Sequence, residues 1–150
     1  MTQFETYKYL ESIEKVNSIL HNKCLEYDQL MTIATKTTQF NDGMPHASGK
    51  SDKVGNIGTE LVELEREIQA TTKLIMQFKR EVVKTLEKLS TNHYKVLYQL
   101  YVKGLSYKEI AGNENKSRQW VNKTKNTAVQ ELSFIVKETE TYTKIKELFF

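Results

Sequence analysis

The sequence predicts an all-α protein in which a long antiparallel coiled-coil helical hairpin precedes a small helix-turn-helix domain. Three observations lead to this fold class. The 150 residues include only one proline and six glycines, so long helices can run without interruption. Apolar residues in the first 89 positions recur three and four residues apart, which is the spacing of one helical face. Residues 104–132 have the pattern of two short capped helices joined by a tight turn.

The first long helix is predicted over about residues 3–38. Its apolar side chains would form one stripe, and Glu, Lys, Asn, Gln and Asp occupy the other faces. The stripe consists of Leu10, Ile13, Leu20, Cys24, Tyr27, Met31 and Ala34, with Asn17 in its one polar position. A helix with such a stripe needs a partner helix to cover it.

The second long helix is predicted over about residues 52–89, after a break at 40–50 that contains the only proline. Its stripe consists of Val54, Ile57, Leu61, Leu64, Ile68, Thr71, Ile75, Phe78, Val82, Leu86 and Leu89. Two matched stripes joined by a short connection predict an antiparallel hairpin, which we assign as a domain over residues 1–89. Stripes this regular can also pair between chains, so we expect a homodimer or a higher homo-oligomer.

Residues 90–132 predict the second domain. Ser106 and Ser117 are suited to cap two successive helices, because a serine hydroxyl accepts a bond from a free backbone N–H. The break between the helices is predicted at Gly112-Asn113 and the following polar run, 114–116. Apolar residues of the second helix recur at helical spacing: Val121, Ala128, Val129 and Leu132. Residues 133–150 are expected to continue as a helical tail whose apolar end needs a surface.

The start of this second helix carries the side chains that DNA recognition requires. Base edges are read by long donors and amides, and phosphates are bound by cations. The candidate DNA-binding residues are the capping Ser117, the base-reading Arg118, Gln119, Asn122 and Lys123, and the phosphate-binding Lys108, Lys116 and Lys125. The alternative is an ordinary helical hairpin with a basic, solvated face.

The same segment resembles region 4 of sigma factors, the module that reads the −35 promoter element. The residues that carry the resemblance are Glu109-Ile110-Ala111, Ser117, Val121, Ala128 and Leu132, all in register. Two positions depart from that pattern: Asn115-Lys116 replaces a Gly-aliphatic pair, and Thr124 replaces an aliphatic residue. The resemblance implies that Arg118, Gln119, Asn122 and Lys123 contact bases.

Roughly residues 5–132 also resemble a family of small proteins encoded by phages and prophages of Gram-positive bacteria. The matching features are the loop Ser48-Gly49-Lys50-Ser51-Asp52-Lys53 and the helical segment from Leu61 to Ile68. That family is similar to the RinA/ArpU-type activators of late transcription. The resemblance implies a regulator that binds promoter or operator DNA, with the coiled coil used for self-association or for contact with RNA polymerase.

Charge and composition agree with a nucleic-acid partner and give no sign of an enzyme. The net charge is only +3, yet residues 90–132 hold seven Lys/Arg against three Asp/Glu, whereas residues 1–42 hold four against six. The single cysteine, Cys24, cannot form an internal disulfide, and no signal peptide or membrane span is recognisable. The sequence has no phosphate loop, no paired metal motif such as H-E-x-x-H, and no Cys/His pair in a recognisable catalytic setting. We therefore expect a cytoplasmic, non-enzymatic protein of a bacterial host cell, without cofactor, metal or membrane.

Two other functions fit the same pattern. A small-terminase-like DNA-packaging protein also joins a helix-turn-helix to oligomerising helices, and it would form rings. A protein that binds RNA polymerase or a sigma factor could use the sigma-like domain without touching DNA.

Overall fold

The computed structural model describes residues 1–41 and 49–150, and within them the side chains outside 37–55. The described part is all-helical and contains no strand. Its elements in chain order are α1 (Gln3–Asn41), α2 (Gly49–Leu86), α3 (Thr91–Leu97), a π-helical segment (Tyr98–Val102), α4 (Tyr107–Glu114), α5 (Arg118–Ile135) and α6 (Glu140–Phe149). None of these helices is long and apolar enough to cross a membrane.

The two long helices predicted from the sequence are present, with bounds that differ by about three residues. α1 extends to Asn41, and α2 begins at Gly49 and ends at Leu86, where the Leu89 N–H bonds the Leu86 carbonyl in a tighter turn. Most of the predicted connection, including Pro45 and the first residue of the Ser48–Lys53 motif, falls on residues 42–48, which lie outside the described residues.

The chain divides into two compact units, of which the first comprises Met1–Asn17 and Leu74–Phe150. One part of its core is an aromatic cluster from α1, α2 and α6. The ring of Tyr9 meets those of Phe78 and Tyr142 edge-on at 5.5 and 5.0 Å, and Phe78 stacks on Tyr142 at 5.7 Å. The other part joins α3, α4 and α5 and contains Val96, Ile110, Ala111 and Val121. The residues of both parts are buried, and edge-on aromatic pairs such as those of Tyr9 add stability beyond the area that they bury.

The second unit, Ser18–Lys73, is built from α1 and α2 alone and has little interior. Of its described side chains only Leu64 and Thr71 are buried, and the other described positions of the predicted apolar stripes are half-buried or exposed. Lys23 Nζ lies 2.9 Å from the Glu67 carboxylate, and Glu67 is mostly exposed. An exposed pair of this kind contributes about 0–1 kcal/mol, so it adds little to the stability of the unit.

The predicted stripe of α2 is confirmed, and that of α1 is partly wrong. Every predicted α2 position from Ile57 to Leu89 is buried or half-buried, and Val54 lies among the undescribed side chains. In α1, Cys24 and Met31 are exposed. Lys23 and Leu30 take the half-buried positions instead, because the alkyl stem of Lys23 can lie along apolar surface while its ammonium reaches Glu67.

The tail is helical in part and packs within the first unit. α5 continues three residues past the predicted end at Leu132, and a short break precedes α6. Thr139 caps α6 by accepting the Tyr142 N–H at 3.2 Å. The hydroxyls of Thr139 and Thr141 both donate to the Glu81 carboxylate at 2.8 Å, so the start of α6 is fastened to α2. Part of the apolar tail is therefore covered by this chain, although Leu148 and Phe150 remain exposed.

Candidate nucleic-acid interface

The candidate site begins on a scaffold made by α3 and the π-helical segment. Gln99, in that segment, is buried, and its side chain bonds both α3 and the end of α4. Its amide nitrogen donates to the Lys95 carbonyl and to the Glu114 carboxylate, each at 3.0 Å. Its carbonyl oxygen accepts from Asn113 at 2.9 Å. Because every polar atom of this buried amide has a partner, the end of α4 is held in one position on the scaffold.

Two serines define where α4 and α5 begin. Ser106 precedes α4 with extended backbone and accepts the Glu109 N–H at 3.2 Å. Ser117 precedes α5 in the same way and accepts the Trp120 N–H at 3.0 Å. Both caps were predicted from the sequence and are confirmed. Each satisfies a backbone donor that the first helical turn leaves without an intrahelical partner.

The turn between the two helices lies within the predicted break, 112–116, but only in its second half. α4 runs through Gly112 and Asn113 to Glu114, so a break at the first two of these residues is wrong. The reversal occurs at Asn115, whose φ of 55° and ψ of 44° are left-handed. Asparagine tolerates this conformation better than most residues, and the Lys116 N–H then bonds the Ala111 carbonyl at 2.9 Å.

The amino-terminal turns of α5 separate the side chains into an inward and an outward set. Val121, Ala128 and Leu132 are fully buried at helical spacing. The predicted base-reading residues are all exposed: Arg118, Gln119, Asn122 and Lys123. The predicted cap Ser117 and the lysines Lys108 and Lys116 are exposed as well. Seven of the eight predicted site residues therefore present their side chains to solvent.

Lys125 is the exception, because it is half-buried and already engaged. Its ammonium donates to the Tyr107 hydroxyl at 2.8 Å. It also lies over the rings of Tyr7 and Tyr107, 5.7 and 5.4 Å from their centroids. Cation–π contacts and a hydrogen bond restrict this lysine more than the exposed Lys123. Lys116 makes a looser contact, 5.6 Å from the Trp120 ring, and keeps its exposure.

The charge of this surface has one sign. Between Lys116 and Gln130 the chain carries four cations and no carboxylate. The neighbouring carboxylates have partners of their own: Glu109 bonds Ser106, Glu114 bonds Gln99, and Glu131 bonds His93 and Ser90. The exposed start of α5 consequently offers hydrogen-bond donors and positive charge to an anionic partner.

A contact from α1 reaches the same helix, and sequence reasoning missed it. The Tyr7 hydroxyl donates to Asn126 Oδ1 at 2.9 Å, although 119 residues separate the two. Tyr101 lies in the same neighbourhood, where burial, and then the nearby Tyr7 and Tyr107, raise the pKa of its hydroxyl. Because no local sequence pattern indicates a contact between residues this far apart, the contact is identified only in the folded structure.

The described residues contain no group of three or more His, Cys, Asp or Glu side chains placed to hold a metal ion.

No curated protein and no solved structure matches the chain. One protein family does, over residues 42–133, which include all of α2, α3 and α4 and the Ser117–Leu132 segment. This match covers more than half of the chain, and the chain therefore belongs to DUF1492, a family described as proteins of unknown function.

Proposed function

We propose that this protein is a transcription regulator of the phage type, which binds promoter or operator DNA through α4 and α5. The observation that carries the proposal is the outward set at the start of α5. Arg118, Gln119, Asn122 and Lys123 are exposed there, while Val121 between them is fully buried. A helix that presents its first turns in this way can enter the major groove, as the second helix of a helix-turn-helix does.

The chemistry of these side chains supports base reading. Arginine and lysine donate to guanine O6 and N7, and the amides of glutamine and asparagine pair with adenine N6 and N7. Two turns of helix span about 11 Å, which brings a few neighbouring base pairs within reach. In this proposal Arg118, Gln119 and Asn122 contact bases, and Lys123 contacts a base or its phosphate.

The exposed lysines outside these turns support phosphate binding. Lys108 lies on α4 and Lys116 in the turn, so they flank the reading turns on one side in sequence. Cations that flank a reading helix fix its register on the duplex without selecting a sequence. Lys125 donates to the Tyr107 hydroxyl, and this contact supports a structural role for the lysine: it holds α5 against α4 and α1.

The two long helices support self-association. We propose that α1 and α2 form an antiparallel hairpin, since Tyr9 meets Phe78 in one unit and Lys23 meets Glu67 in the other. The shallow burial of the described side chains in Ser18–Lys73 leaves room for a second copy or for RNA polymerase. A dimer would favour two half-sites about one turn of DNA apart. This regulator would act without catalysis in the bacterial cytoplasm.

The proposal is tested by DNA binding across a salt series, with fragments from the genomic neighbourhood of the gene. We expect tight binding to one fragment and a linear fall of log affinity with log salt, because phosphate neutralisation releases counterions. The variant Arg118→Ala/Lys123→Ala should lose the preference for that fragment and reduce the salt slope by about one to two.

The matched control is Lys88→Ala/Lys137→Ala, which also removes two exposed cations but lies outside α4 and α5. It should keep the fragment preference. Absence of binding by the wild-type protein at low salt would contradict a DNA reader, and RNA polymerase would then be the first partner to test. A ring-sized assembly in sedimentation would instead favour a DNA-packaging protein.

A further inference from the structure

The contact between Tyr7 and Asn126 joins a helix outside the family match to the proposed reading helix. Tyr7 lies in the second turn of α1, whereas the family match begins at residue 42. Asn126 is exposed on α5, four residues after Asn122, and therefore follows it along one face. The reading face consequently continues for one more turn, to a residue that α1 touches.

The tyrosine in this contact is held from a second side. Lys125 lies over its ring, and the same ammonium donates to the Tyr107 hydroxyl at 2.8 Å. Tyr7, Lys125 and Tyr107 thus connect α1, α5 and α4. With its ring contacted by the lysine and its hydroxyl bonded to Asn126 Oδ1 at 2.9 Å, Tyr7 has little freedom to turn away.

This hydrogen bond decides what Asn126 can offer to a partner. An asparagine side chain has one carbonyl oxygen, which accepts, and one NH₂ group, which donates twice. Tyr7 donates to one of the two lone pairs of this oxygen and so directs the oxygen toward α1, and among the residues that the structure describes no acceptor pairs with the NH₂ group. An unrestrained asparagine reads adenine by donating to N7 and accepting from N6. An asparagine whose oxygen is directed at a tyrosine hydroxyl turns its NH₂ donors toward other partners.

We propose that Tyr7 is a positioning residue of the reading face, which holds Asn126 as a hydrogen-bond donor toward the acceptor atoms of guanine, O6 and N7, in the major groove. This inference rests on the proposed DNA-binding function and assigns one base contact within it. It also gives α1 a part in recognition, because the hydroxyl that orients Asn126 comes from that helix.

The test selects a preferred site from a random duplex pool and measures affinity for all four bases at each position. We expect Asn126→Ala to lose about two- to tenfold in affinity, the worth of one hydrogen bond, and to lose the guanine preference at one position only. Tyr7→Phe keeps the ring over which Lys125 lies and removes the hydroxyl. It should keep the helical content and shift the preference at that same position from guanine toward adenine.

Tyr27→Phe is the matched control, since it removes a tyrosine hydroxyl from the other unit and should leave the base preferences unchanged. A wild-type base preference in Asn126→Ala, or an equal loss on every sequence, would overturn the base contact. An unchanged preference in Tyr7→Phe would overturn the positioning role. Failure of the wild-type protein to bind any duplex would contradict the proposed function itself, and it would be seen before any substitution is compared.

Discussion

The two compact units have the same kind of apolar stripe but very different interiors. In Met1–Asn17 and Leu74–Phe150, the stripe of α2 continues as Ile75, Phe78, Val82 and Leu86, all buried. In Ser18–Lys73 the same alternation gives only Leu64 and Thr71 as buried side chains among those described. The difference arises from what covers the stripe. Shorter helices supply additional walls in the first unit, whereas two helices alone leave each stripe open at its sides.

This contrast shows that a heptad pattern specifies which side chains face a partner and leaves the number of partners undetermined. In the first unit, α6 contributes Tyr142 to the cluster of Tyr9 and Phe78, so the partner is within the chain. In the second unit the described stripe positions other than Leu64 and Thr71 are half-buried or exposed, so the described part of the chain covers them less. The predictions below measure how far the two units differ in stability.

The largest effect is expected in the aromatic cluster. Phe78→Ala removes a fully buried ring that touches Tyr9 and Tyr142, and we expect the free energy of unfolding to fall by about 3–5 kcal/mol. Chemical denaturation followed by circular dichroism measures this loss. The control is Met76→Ala on the same helix, whose side chain is 52% exposed and should change stability by less than about 1 kcal/mol. Equal losses in both variants would show that the cluster is not a core.

A second effect of the same core depends on pH. Burial, as the largest cause, raises the pKa of Tyr9 from 10.0 to about 12. The folded state therefore keeps the tyrosine proton between pH 10 and 12, where the unfolded state releases it. Stability from this group is fully present below pH 10 and is lost as pH rises toward 12, by about 2–3 kcal/mol in total.

Denaturation at pH 9 and pH 11 measures about half of this loss, and Tyr9→Phe should reduce the difference in stability between the two pH values. Part of the difference should remain, because the pKa of Tyr101 is also raised by burial and acts with the same sign. A pH dependence that is identical in Tyr9→Phe and the wild type would contradict a protonated, buried Tyr9.

In the second unit, Leu64→Ala should have a smaller effect than Phe78→Ala. Its site is shallow and can relax or admit water, so we expect a loss near the lower end for such substitutions, about 2 kcal/mol. Val62→Ala, with a side chain that is 49% exposed, is the control. If a second copy covers the stripe, the loss in Leu64→Ala should increase with protein concentration. A loss as large as that of Phe78→Ala at all concentrations would remove the contrast between the units.

Features that depend on a few neighbouring residues could be predicted from the sequence. The α2 stripe from Ile57 to Leu89 and the caps Ser106 and Ser117 are all found as predicted, because helical spacing and capping are local chemistry. The exposure of Gln119 and Lys123 follows in the same way, because each lies two residues from the buried Val121 and thus on the opposite side of the helix.

Two kinds of feature could not be predicted: which of two neighbouring residues fills a given position, and which residues far apart in the sequence come into contact. Lys23 replaces Cys24 in the stripe because Glu67, on the other helix, can receive its ammonium. Asn115 rather than Gly112 adopts the left-handed conformation, and the sequence offered both residue types. The contact between Tyr7 and Asn126 requires knowledge of where α1 packs.

The smallest effect on stability is expected at Ser117. Substitutions there should also change stability and DNA affinity independently of each other. Its hydroxyl caps α5, so Ser117→Ala should lower the free energy of unfolding by about 1 kcal/mol. Ser117→Asp should keep the cap, because a carboxylate accepts the same N–H and is favourable at a helix amino terminus. The same carboxylate adjoins Arg118 and would repel phosphate, so DNA affinity should fall although stability is retained. Denaturation and salt-series binding of the two variants separate these effects, and Ser117→Asp with wild-type DNA affinity would show that DNA does not approach the start of α5.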